Sequence, residues 1–131
     1  MTEIETARAQ LDAGNLDAAE ASCRAILRGA QDAKPQALCI LGIVALLRKS
    51  YPEAVELFAE ALQEGYVADT LILNNYGEAC RRLGRLDEAF ECFSKALHLD
   101  TQQPYTYFNI ALIRRVQGNA RESEHYFRLA F

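Results

Sequence analysis

Apolar and small residues recur every three or four positions along nearly the whole chain. Within Thr70–Thr101, Leu73, Tyr76, Gly77 and Cys80 form one such stripe, and beyond Gly84-Arg85 a second runs through Leu86, Ala89, Phe93, Ala96 and Leu97. This is the helical period, so the stretch predicts two amphipathic helices packed antiparallel about a short turn. Gly77 and Ala89 lack bulk where helix must approach helix, while Tyr76 and Phe93 fill the space around the contact. The turn-plus-alanine spacing Gly84…Ala89 returns as Gly118…Ser123, Lys49…Ala54 and Gly14…Ala19. Four helical hairpins, about eight helices repeating every 34 to 35 residues or so, therefore account for the chain.

Taken in order, Thr2 and Glu5 have capping-box spacing, so a first helix starts at the N-terminus and runs to Ala13. Gly14-Asn15 breaks it, a second helix covers Leu16 to Arg28, and Gly29 ends that one. The polar link Gln31-Asp32-Ala33-Lys34 leads to Pro35, suited to a first helical turn. The run from Ala37 to Leu47 is apolar all round, too short to span a bilayer, and predicts a helix that something must cover. Ser50-Tyr51-Pro52-Glu53 starts its partner, Gly65 ends it, and Asp69 or Thr70 caps the next helix. Pro104 opens the last pair, and Gly118-Asn119 turns into the final helix.

The hairpin spacing and these residues resemble the tetratricopeptide repeat family. Leu38, Leu41, Gly42, Ala45, Ala54, Phe58 and Ala61 match its pattern in the second copy, Leu73, Tyr76, Gly77, Ala89, Phe93 and Ala96 in the third, and Tyr107, Ile110, Ala111, Phe127 and Ala130 in the fourth. The first copy is worn: Ala7, Gly14, Leu16, Ala19 and Cys23 keep the spacing, while Glu3 and Thr6 stand where large apolar groups are expected, as in a solvent-facing terminal repeat. The resemblance implies one all-α domain over 1–131, a right-handed solenoid with repeats at about 1–34, 35–69, 70–103 and 104–131. Arg114 in place of an aromatic, Ser123 in place of the packing alanine and a missing proline after Leu99-Asp100 predict a looser fourth repeat.

With 131 residues and a formal charge of −4, the chain has enough apolar content for a continuous core and no general cationic surface for nucleic acid. Cys23, Cys39, Cys80 and Cys92 make no CxxC pair and no zinc knuckle, which predicts buried free thiols in a reducing cytosol. Met1-Thr2-Glu3-Ile4-Glu5 puts acids where a basic leader region would stand, again the expectation of a cytoplasmic protein. Candidate chemistry is sparse. His98 and His125 have no spaced carboxylate or cysteine that would complete a metal triad or a nucleophile with its base, and each glycine turn joins two helices instead of following a strand as a phosphate loop does. No enzyme, cofactor, metal or membrane insertion is expected.

Function then falls to the concave face, which the resemblance places on the first helix of each repeat. Counting outward from the packing positions, that face would show Ile4 and Arg8, then Cys39, Ile40, Ile43 and Leu46, then Asn74, Asn75, Glu78 and Arg81, then Tyr105, Phe108, Asn109, Leu112 and Arg115. The second repeat offers an aliphatic floor, and Tyr105, Phe108 and Leu112 an aromatic-aliphatic wall. Asn75 and Asn109, one repeat apart, resemble the asparagine ladder with which superhelical members of the family clamp a peptide main chain; the alternative is hydrogen bonding within or between neighbouring helices. Arg81 and Arg115, with Arg82 and Arg114 beside them, either favour an acidic segment or complement the helix dipole. A chaperone-tail carboxylate clamp fits poorly, because Ile4, Arg8, Ile40 and Leu71 occupy its positions and only Asn75 conforms.

The resulting expectation is a non-enzymatic module that holds a peptide or partner helix in its groove. Two rivals stay open: a targeting domain of a larger enzyme or secretion assembly, and a self-assembling scaffold. The last helix sharpens the second, because Tyr126, Phe127, Leu129, Ala130 and Phe131 form an apolar cluster with no successor to pack against. A longer chain or a homodimer through that helix is expected to cover it.

Overall fold

The computed structural model describes residues 1–29 and 32–131, and every regular element among them is a helix: α1 Glu3–Asp12, α2 Leu16–Arg28, α3 Lys34–Leu47, α4 Tyr51–Gln63, α5 Thr70–Arg82, α6 Leu86–Leu99, α7 Pro104–Val116 and α8 Ala120–Ala130. They form four hairpins in two compact units, α1–α4 within Met1–Ala68 and α5–α8 within Asp69–Phe131. Gln31, expected in the polar link, lies outside the described residues, and Lys34 already belongs to α3.

The helix starts follow from side chains that meet orphan N–H groups. Thr2 Oγ1 accepts from the Glu5 amide at 3.2 Å, Asp69 Oδ1 from Ile72 at 3.0 Å, and Asn119 Oδ1 from Glu122 at 3.1 Å. The four hairpin turns are built alike. Gly14, Lys49, Gly84 and Gly118 have φ of 79°, 63°, 78° and 80°, and in each case the next amide bonds a carbonyl five residues back, as in Asn15→Gln10 and Arg85→Cys80 at 2.9 Å. Lys49 alone adopts this left-handed conformation with a side chain attached.

The hairpin seams depend on a small residue opposite a large one. A Cβ added to Gly77 would stand 2.8 Å from the Phe93 ring, and one added to Gly42 would stand 2.6 Å from Phe58; both rings are fully buried. The equivalent pairs are Ala7 with Cys23, both fully buried, and Ala111 with Phe127. The apolar helix α3 packs against α4, α2 and α1, which cover its first three turns and leave Leu47 exposed at its end.

Each expected weakness of the fourth repeat carries a compensating contact. The Arg114 guanidinium lies 4.1 Å over the Phe90 ring and pairs with Glu122 at 3.2 Å. Ser123 Oγ donates to the Ala111 carbonyl at 2.9 Å, which satisfies the buried hydroxyl. In place of a closing proline, Gln103 Nε2 donates to the carbonyls of Ala96 at 2.9 Å and Asp100 at 2.6 Å.

Candidate functional site

In the first unit the expected floor is partly enclosed. Cys39 and Ile40 are buried, contrary to their placement on an open face, with α3 packed against α1 and α2 as well as α4. Ile43 and Leu46 are half-buried, and Leu47 is exposed instead. On α1, Ile4 is half-buried and Arg8 is exposed. Gln36 and Ile26 join Ile4, Thr2, Glu3, Asp32 and Ala33 around a cavity of about 510 Å³ beside the start of α3.

In the second unit α5 and α7 bring several of the expected residues together, with the polar ones committed to one another. Asn74 belongs to an internal network: its Nδ2 donates to Gln103 Oε1 at 2.7 Å, and its Oδ1 accepts from Thr106 Oγ1 at 2.8 Å. Glu78 is only 8% exposed. Its Oε1 accepts from Arg81 Nη2 and from Arg82 Nε, each at 2.7 Å, and its Oε2 accepts from the Tyr105 hydroxyl at 3.2 Å. Burial pushes the Glu78 carboxyl up, but the hydrogen bonds from Arg82 and Arg81 outweigh it and hold the group below the ordinary carboxylate range. Arg81 and Arg82 are therefore engaged within the unit.

The two ladder asparagines differ. Asn75 is half-buried and its Nδ2 donates to the Leu71 carbonyl of its own helix at 2.9 Å. Asn109 is 2% exposed, so it is not a surface rung, and its Nδ2 has no hydrogen-bond partner among the described residues. Helical spacing places Asn109 one turn from Tyr105, whose ring lies beside it. Tyr105 itself is 55% exposed and Phe108 36% exposed; Leu112 is half-buried. Burial, with the Glu78 charge adding to it and a looser contact with the Asn109 carboxamide opposing it, pushes the Tyr105 phenol up, so it remains a neutral donor.

The expected C-terminal cluster divides. Phe131 is 92% exposed and Leu129 is also exposed, Tyr126 and Phe127 are half-buried, and Ala130 is buried, seven residues after Ser123 and on the same inward face. Phe108 meets Phe127 edge to face at 5.6 Å and Phe131 at 6.2 Å between centroids, and the Arg115 guanidinium lies 5.9 Å from the Phe127 ring. The aromatic wall and the last helix thus form one surface.

Gln103 and Thr106 are polar anchors that the sequence did not single out; the only signal was a carboxamide just before Pro104. Burial disfavours the reactive thiolate form at the cysteines. Cys23, Cys39 and Cys80 are buried and Cys92 half-buried, none of them in a disulfide, with burial pushing Cys23 and Cys92 up to about 11 and Cys80 to about 12. Among the described residues no group of three or more His, Cys, Asp or Glu could hold a metal, and no helix is long and apolar enough to cross a membrane.

Comparison with known proteins agrees with this architecture. Solved structures of MamA superpose on 98% of the chain: MamA from Desulfovibrio magneticus RS-1 at a TM-score of 0.83 and 19% identity over 71% of its own chain, and MamA of AMB-1 at 0.79 and 23% over 69%. The TPR repeat-containing protein MJ1428 of Methanocaldococcus jannaschii is 26% identical over 65% of this chain, and the human cell division cycle protein 16 homolog 30% identical over 69%. The chain spans only 15% and 16% of the length of those two relatives. Family models described as tetratricopeptide repeat and TPR repeat match residues 4–68 and 77–118, and with four helical hairpins in the matching register the chain belongs to the tetratricopeptide repeat family.

Proposed function

We propose that the protein is a non-enzymatic protein-interaction module, its four repeats acting as one domain, and that the α5–α7 face of the second unit holds an extended segment of a partner. The observation that carries this reading is a buried donor without a well-formed hydrogen bond, behind a half-exposed ring. Asn109 Nδ2 is buried without an acceptor, which costs free energy of about 1–3 kcal/mol if left so. The exposed Tyr105 ring beside it is held by a 3.2 Å bond to Glu78 and by a looser polar contact with the Asn109 carboxamide. A main-chain carbonyl that displaces this ring would satisfy Asn109, and Asn75, one repeat earlier, keeps its carbonyl oxygen for a main-chain amide. Phe108 and Leu112 supply apolar contact next to this pair. Cysteines outside any disulfide suit work in the cytoplasm.

A peptide selected from a random displayed library against the intact protein provides the test. Asn109→Ala and Asn75→Ala are expected to weaken it by about 1–3 kcal/mol each. Undiminished binding by the double variant removes the main-chain clamp, and undiminished binding by Leu112→Glu removes this face as the site. The exposure of Leu129 and Phe131 supports a second reading, self-association through α8, which sedimentation at increasing concentration detects and Phe131→Lys should abolish.

A further inference from the structure

We infer that Glu78 determines specificity at the α5–α7 face: as a built-in ligand of Arg81 and Arg82, it closes that face to acidic segments and leaves it open to neutral ones. The inference rests on the reading of this face as the binding site. From composition alone, Arg81 and Arg82 at the end of α5 would attract a carboxylate. In the structure one carboxylate is already there. Glu78 Oε1 takes both guanidinium groups at 2.7 Å and Oε2 takes the Tyr105 hydroxyl, so the acid is held by three donors from two helices. The Arg81 side chain is 21% exposed and the Glu78 side chain 10%, so that pair is shielded from solvent, although Arg81 Nε makes no hydrogen bond of its own. Arg82, 50% exposed, reaches the acid through its Nε and keeps part of its guanidinium in water.

Two costs oppose an acidic ligand. It must displace a carboxylate that is part of the same helix, three and four residues from its arginines, and that competes at high effective concentration. Success would leave Glu78 ionised, buried and stripped of its donors, a state far worse than the starting one. Because the arginines hold Glu78 below the ordinary carboxylate range, the competitor stays charged at neutral pH. A neutral main chain meets neither cost, since it seeks Asn109 and Asn75 and leaves the ion pairs in place. Arg115 is different: it has no carboxylate partner among the described residues and is exposed on the aromatic side of α7.

Inorganic sulfate tests the seal directly, read on the Nε–Hε signals of arginine in ¹⁵N-labelled protein. In the wild type, sulfate should leave Arg81 and Arg82 unmoved while Arg115 serves as the responsive reference. In Glu78→Gln, both signals should move saturably, with an apparent affinity at least about tenfold above wild type. Glu78→Ala gives an independent removal of the acid, and circular dichroism checks that each variant keeps its helices. Saturable shifts of Arg81 and Arg82 in the wild type would overturn the inference whatever the variants do, and so would folded variants that show no gain. Failure of the selected peptide with the sulfate result intact would instead sink the clamp and leave the seal standing.

Discussion

In the α5–α6 hairpin Gly77 faces the Phe93 ring, and the ring is fully buried; in the α7–α8 hairpin the same register holds Ala111 and Phe127, and the ring is half-buried against Phe108. A Cβ at Gly77 would meet Phe93 at 2.8 Å, closer than real Cβ atoms come to a ring. Ala111 carries that methyl, so a ring placed as Phe93 is would crowd it, and Phe127, on the last helix, is half-buried against Phe108. The second small position differs too. Ala89 is fully buried as a plain methyl, whereas Ser123 adds a hydroxyl that bonds the Ala111 carbonyl. One methyl, one hydroxyl and the lack of a further helix packed on α8 among the described residues distinguish a closed seam from one whose aromatic residue also builds a surface.

The largest expected effect is the loss of the closed ring. Phe93→Ala should cost about 3–5 kcal/mol, as truncation of a fully buried aromatic does, while Phe127→Ala should cost less than half of that because much of its ring surface is already in solvent. Urea unfolding of the two variants checks the difference, and equal costs would mean that the rings are equivalent after all. Next comes the seam itself: Gly77→Leu and Ala89→Leu should each cost about 1–3 kcal/mol through overpacking. If neither changes the melting temperature, the repeat register is wrong. The smallest effect lies in the turns, where Lys49 holds at φ 63° what Gly14, Gly84 and Gly118 hold without strain. Lys49→Gly should therefore raise stability, by about 1 kcal/mol at most, since relief of the left-handed strain is offset by a more flexible unfolded chain. A lower midpoint in urea for that variant would show that the lysine side chain contributes something the backbone does not.

The helices were readable from residue spacing because their stripes are strongly periodic: α2 begins at Leu16 and ends at Arg28, as Gly14-Asn15 and Gly29 require, and α7 opens at Pro104. The turns were readable for the same reason, Lys49 included, since its place in the repeat outweighed the absence of glycine. The site was less readable. In α3 the apolar residues run round the whole helix, so periodicity could not tell that Cys39 and Ile40 point inward while Ile43 and Leu46 stay half-exposed. On α5 and α7, Asn74, Glu78, Arg81 and Asn109 have the polarity of surface residues, and only their mutual geometry shows that most are spent on one another. Polarity at a helix position reports the need for a partner and is silent on whether that partner is water, a ligand or the neighbouring helix.

The Gln103 side chain bears on how the second unit opens in time. Its carboxamide donates to Ala96 and Asp100 at the end of α6 and accepts from Asn74 on α5, while the Thr106 hydroxyl of α7, whose proton goes to Asn74, stands 3.3 Å from its oxygen. A helix start after an irregular link ordinarily frays, and its amides exchange with solvent through small local openings. Here the first turn of α7 cannot lift away without releasing the end of α6 and the Asn74 side chain in the same event. Deuterium uptake at these three sites should then follow one shared opening free energy, so that the α6–α7 link behaves as part of a cooperative folding unit instead of a hinge between two.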